Sequence, residues 1–84
     1  MKHARKDYQA RIVDLAGIIP ADEPVFFIRG KDRFAPMTLE FWADAAEAGG
    51  ADAKIVKVVR GQAAAMREYQ NTHGKQTPDM PDEN

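Results

Sequence analysis

Between residues 4 and 16, Tyr8, Ile12 and Leu15 recur at helical spacing. Ala4, Ala16 and Ile19 lie close to the same face, and Lys6, Arg11 and Asp14 lie opposite. The pattern predicts an amphipathic helix over 4–16, closed by Gly17, which takes a left-handed cap conformation without steric cost. A helix of this length is marginal alone and must dock. The pattern then changes. Pro20 and Pro24 bracket Ala21-Asp22-Glu23 and fix a rigid acidic turn. Four successive apolar residues follow, Val25-Phe26-Phe27-Ile28, all β-branched or aromatic, and they predict a short buried strand within an extended segment 25–29.

Helical spacing returns at Pro36. Phe34, Met37, Phe41, Trp42 and Ala45 form one stripe over 36–48, with Glu40, Asp44 and Glu47 on an acidic face. Proline suits the first turn of a helix, and Gly49-Gly50 ends this one. Asp52 is a fitting N-cap for a third helix over 53–72, whose stripe is Ile55, Val56, Val59, Ala63, Met66 and Tyr69. Gly61 and the run Ala63-Ala64-Ala65 suggest close approach of another helix. Gly74 closes the segment. The residues 75–84, with Pro78 and Pro81 among acids, have little to bury and predict a disordered or extended acidic tail.

The expected fold class is therefore mainly α with a short β segment: three helices and one strand, in a single helical domain over 1–74. A lone strand cannot satisfy its own backbone. No second convincing strand is legible in the chain. Either a second copy supplies the partner, or the segment is a buried extended connector, and the first is preferred. With 84 residues the chain buries only about 60% of the surface its unfolded form exposes, so a deep catalytic cleft is hard to build in a monomer. This too points to a homo-oligomer, pairing through Val25–Ile28 or through the helix stripes.

Composition narrows the chemistry. There is no cysteine, which excludes disulfides, thiolate metal sites and cysteine nucleophiles and fits a cytoplasmic home. The formal net charge of -1 argues against nucleic-acid binding by bulk electrostatics. No apolar run approaches the ~20 residues of a membrane span. The basic N-terminus lacks the apolar core of a secretory signal. His3 and His73 sit near opposite ends without metal-ligand spacing, there is no serine, and no nucleophile–base pair is legible, so neither an enzyme nor a metal or cofactor is expected.

Three features can carry binding. Arg29-Gly30-Lys31-Asp32-Arg33 gathers three cations around a glycine, where backbone N–H groups can assist in holding an anion. The glycine spacing of a Walker loop is absent. The plainer reading is a solvated turn with Asp32 paired to an arginine. Lys54, Lys57, Arg60 and Arg67 give the third helix a basic face, which meets either phosphates or the acidic face of the second helix. Trp42 or Tyr8 can stack on a base, although most aromatics in so short a chain belong to the core.

The residues Ile19-Pro20, Asp22 to Phe26, Arg29, Asp32, Ala35-Pro36, Thr38 and Trp42-Ala43 form a signature that resembles a group of small proteins of tailed phages and bacteria, over 19–50. The group supplies no function or catalytic residue to carry over. The resemblance implies an accessory protein that binds a host protein or sequesters a nucleotide signal of host defence. The leading expectation is a non-enzymatic, oligomeric binding protein of this anti-defence type. It would hold a small anionic, nucleotide-like ligand between subunits through Arg29, Lys31, Arg33, Lys57 and Arg60, with Tyr8 or Trp42 against a base. The alternative is a protein-interaction module that modulates a host protein through Glu40, Asp44 and Glu47 or through Asp22-Glu23. A DNA-binding regulator ranks below both: the third helix opens with Ala53-Lys54-Ile55-Val56, poor in base-reading side chains.

Overall fold

The structure is a computed structural model and describes residues 1–80. It is mainly helical, with three helices and one short strand pair among the described residues. The chain divides into two compact units, Met1–Phe27 and Ile28–Pro78.

In the first unit, β1 (Lys2–His3) runs parallel to β2 (Pro24–Val25), with Lys2 opposite Pro24 and His3 opposite Val25. The Lys2 N–H donates to the Glu23 carbonyl at 2.9 Å. Parallel strands need a crossover connection, and α1 (Lys6–Arg11) lies within it. Pro24 has no N–H to offer and therefore suits a two-stranded edge. The strand is thus paired by the chain's own N-terminal residues Lys2–His3, a second strand that the sequence pattern does not show. The strand is also shorter than expected. Phe26 and Phe27 lie beyond it and are 65% and 47% exposed, so they are not a buried strand interior.

The first helix is six residues long, not the stretch 4–16. It stops because the backbone turns extended at Ile12, with φ -97° and ψ 125°, although the Ile12 N–H still reaches the Tyr8 carbonyl. The pair Ile12-Val13 is β-branched and favours that geometry. Beyond it, Gly17 (φ 65°) closes a turn onto the Asp14 carbonyl, and the Asp14 side chain accepts from the Ile19 N–H at 2.7 Å. Gly17 therefore shapes a loop and does not cap a helix.

The second unit is a helical hairpin. In α2 (Ala35–Ala48), Pro36 occupies the first turn, and Gly49-Gly50 ends the helix with Gly50 at φ 84°. The Asp52 carboxylate accepts from the Lys54 N–H at 2.8 Å and starts α3 (Ala53–His73), which Gly74 closes at φ 84°. Arg67 pairs with Glu40 and Arg60 with Glu47, so the two helices run antiparallel. The contact face is built from small residues. Ala35, Pro36 and Ala43 of α2 are buried, as are Val56, Ala63 and Met66 of α3.

The α2 stripe read from the sequence is displaced. Phe34, Met37, Phe41 and Trp42 are exposed, while the alanine line faces α3. On α3, Val56, Ala63 and Met66 match the expected core, but Ile55 and Tyr69 are exposed. Ala63 does make the close approach, whereas a Cβ on Gly61 would meet nothing within 4 Å. After α3 the chain returns to the hairpin's entry. Gln76 bridges Asp32 in parallel, so the start of the expected tail is extended and bound. Its end, 81–84, lies outside the described residues. No helix among the described residues is long and apolar enough to cross a membrane.

Candidate functional site

The turn 29–33 leads into α2 and is fixed from three sides. The Asp32 N–H donates to the Arg29 carbonyl at 3.0 Å and the Ala35 N–H to the Asp32 carbonyl at 2.9 Å. Gln70 of α3 donates from Nε2 to the carbonyls of Gly30 and Asp32, at 2.9 Å each. Gln76 completes the frame: its carbonyl accepts from the Arg33 N–H at 2.9 Å and its N–H donates to the Lys31 carbonyl at 2.8 Å. The turn lies against α3, since a Cβ on Gly30 would stand 3.6 Å from Met66 Cγ.

The charges of this turn are not neutralised by one another. The Asp32 carboxylate accepts from the Phe34 N–H at 2.8 Å, capping its own backbone and not an arginine. Arg33 donates to Thr77 Oγ1 at 3.4 Å and sits 5.7 Å from the Phe34 ring centroid. Arg29 and Lys31 form no ion pair among the described residues, and the N–H groups of Gly30 and Lys31 make no hydrogen bond there. The turn thus offers free donors and unmatched cations on a rigid frame, the chemistry that suits a phosphate or carboxylate.

The remaining expected residues lie elsewhere. Lys57 and Arg60 precede Gln70 by ten or more residues on α3, roughly 15–20 Å along its axis, so they do not join the turn. Together with Glu47, Ala51, Ala53 and Val56 they line an open hollow of about 420 Å³. Arg60 is engaged there: its two terminal nitrogens donate to Asp44 and Glu47, at 2.8 Å each. Those hydrogen bonds, to Asp44 first and Glu47 second, hold its guanidinium above the ordinary value. Arg67 is held the same way by Glu40. The acidic face of α2 is therefore occupied within the hairpin. Trp42 is exposed on α2, on the side of the buried Ala43 away from Asp44.

Tyr8 belongs to the first unit and is its core. Arg5 lies 4.3 Å and Arg11 5.3 Å from its ring centroid, and His3 and Phe27 meet it edge-on at 5.3 Å. Its faces are occupied by its own neighbours.

Two residues to which the sequence pattern assigns no structural role organise these units. His3 is buried and stacks on Phe26 at 4.8 Å. The Arg5 N–H faces its Nδ1 at 3.0 Å and the Phe27 N–H faces its Nε2 at 2.6 Å. A neutral imidazole accepts at one nitrogen, so either tautomer ties one of these two segments to the strand. Nothing in the periodicity marks this role. Gln70 did leave a signal. It continues the buried line Val56, Ala63, seven residues further on, and is an amide where the pattern calls for an apolar side chain.

Among the described residues no group of three His, Cys, Asp or Glu side chains can hold a metal ion. Comparison with protein-family models, curated proteins and solved structures finds no match to this chain.

Proposed function

We propose that the chain is a non-enzymatic, cytoplasmic binding protein that takes up a small anionic ligand, phosphate-bearing and nucleotide-like, at the turn 29–33. One contrast supports this reading. Arg60 and Arg67 on α3 are matched by acids of α2, whereas Arg29, Lys31 and Arg33 stand on a fixed backbone with no carboxylate paired to them among the described residues. Sequestration of a signalling nucleotide is the accessory role such a site would serve. Lys57, Arg60 and Tyr8 are not needed by it.

Thermal unfolding with and without pyrophosphate and a panel of nucleotides tests the reading. A ligand at a hundred times its Kd adds about 2.7 kcal/mol, and each kcal/mol moves the midpoint of a domain this size by about 4–8 °C. The triple variant Arg29→Ala, Lys31→Ala, Arg33→Ala is expected to lose the shift, and Arg60→Ala to keep it. If no anion moves the transition, the site is not a ligand site.

A second reading, a protein-interaction module that modulates a host protein, draws on a different observation. Several large apolar side chains of the hairpin are exposed, while Glu40, Asp44 and Glu47, the acids that would have met such a partner, are engaged by arginines.

A further inference from the structure

The two long edges of the hairpin differ in kind. At about 100° per residue, Asp44 and Trp42 stand to opposite sides of the buried Ala43. Glu40, Asp44 and Glu47 share one edge with Arg60 and Arg67, where the ion pairs form. The other edge carries Trp42 from α2 and, from α3, Ile55, Val58, Gln62, Ala65 and Tyr69. These five α3 positions are spaced by three, four, three and four residues, the period of a helix-pairing seam. None is charged; Lys57 lies round the helix from them, and Lys54, one turn before Val58, borders the seam at its end. Trp42 is 49% exposed, Ile55 43%, Val58 64% and Tyr69 46%.

We infer that this edge is covered by a second copy of the chain, α3 against α3 in antiparallel register with Gln62 at the two-fold axis. Three observations select that occupant. First, the five seam positions and Trp42 are themselves uncharged, so they offer no ion pair to an acidic or basic partner and no repulsion to their own copies. Second, the seam is close to symmetric about its centre. Ile55 and Tyr69 lie seven residues to either side of Gln62, and Val58 and Ala65 lie four before and three after. An antiparallel copy therefore sets Ile55 against Tyr69, and the larger Val58 against the smaller Ala65. At the axis a glutamine amide donates to and accepts from its own twin, as a self-complementary interface requires. Third, the area suffices. With aromatic side chains at roughly 150–250 Å² and Ile and Val smaller, the four exposed residues contribute on the order of 300–400 Å² per copy. Two copies with the flanking Gln62 and Ala65 reach about the 1,000 Å² that a specific interface needs. The inference goes beyond the anion site and does not depend on it. It assigns to self-pairing the surface that would otherwise favour the second reading.

Sedimentation equilibrium of the full chain at tens of micromolar tests it. The expected mass is twice 9.3 kDa. Val58→Asp is expected to give a monomer that keeps its helical circular dichroism, while Phe41→Ser, on the back of α2, leaves the dimer intact. Gln62→Glu and Gln62→Lys should each weaken pairing at least tenfold. An equimolar mixture of those two should restore it, because each carboxylate then meets an ammonium across the axis. That rescue cannot come from a variant that merely misfolds. A wild-type monomer overturns the inference. So does a dimer broken by Phe41→Ser and not by Val58→Asp, or a mixture that fails to recover.

Discussion

At the scale of single residues, size decides more than hydrophobicity. Phe34, Met37 and Phe41 make the stronger apolar stripe of α2 in the sequence, yet Ala35 and Ala43 are the residues at the contact. Two helices that meet through alanines come close enough for Arg60 and Arg67 to reach across to acids. A stripe of larger side chains would hold the axes further apart. The sequence did register the small residues at Ala63-Ala64-Ala65, but not that α2 answers them with its own. Two substitutions separate the consequences. Ala63→Leu forces extra carbons into a fully buried site and should cost about 1–3 kcal/mol, read as a lower unfolding midpoint. Gly61→Ala should do the opposite. The glycine is helical with open space where its Cβ would sit, so alanine should add about 0.5–1 kcal/mol by restricting the unfolded chain and favouring the helix.

At the scale of elements, terminators were legible where they act through the backbone alone. Pro36, Gly49-Gly50, Asp52 and Gly74 bound α2 and α3 close to where the pattern put them, because fixed φ, positive φ and side-chain capping are local effects. Asp52→Ala should therefore destabilise α3 by about 1 kcal/mol, detectable as faster amide exchange in its first turn. The bounds of the first helix and of the strand are not legible in the pattern, because distant partners set them. β1 is two residues of ordinary polarity, and only its pairing with Pro24–Val25 makes it a strand. Within α1, Asp7 gives a pH dependence. The hydrogen bond from the Arg5 guanidinium holds the Asp7 carboxyl below its ordinary value of 3.8; desolvation is the next effect and opposes it, and the Arg5 charge adds to the lowering. A depressed carboxylate stabilises the folded form above that value and loses its contribution as pH falls through the folded one. Amide protection in α1 should thus hold from neutral pH down to the ordinary carboxylate range and decline below it, and Asp7→Asn should flatten that decline.

At the scale of the whole molecule, the sequence indicated a mainly helical chain but not its division into two compact units, which follows from the closure of β1 onto β2. The candidate site was legible only in part. The cations of 29–33 do share one turn, while Lys57 and Tyr8, chosen for charge and aromaticity, belong to other surroundings. The second unit, about fifty residues long, is near the size below which a core rarely holds without association. Excised as Ile28–Pro78, it should gain helical signal as its concentration rises. The same hairpin also implies a divided response to solvent. Near 1 M sodium chloride the screening length shrinks to about 3 Å, which slackens the contacts of Arg60 and Arg67 with their acids. Sulfate, excluded from apolar surface, instead drives the neutral margin out of water. Brine should therefore loosen the molecule along one seam, and ammonium sulfate should fasten it along the other.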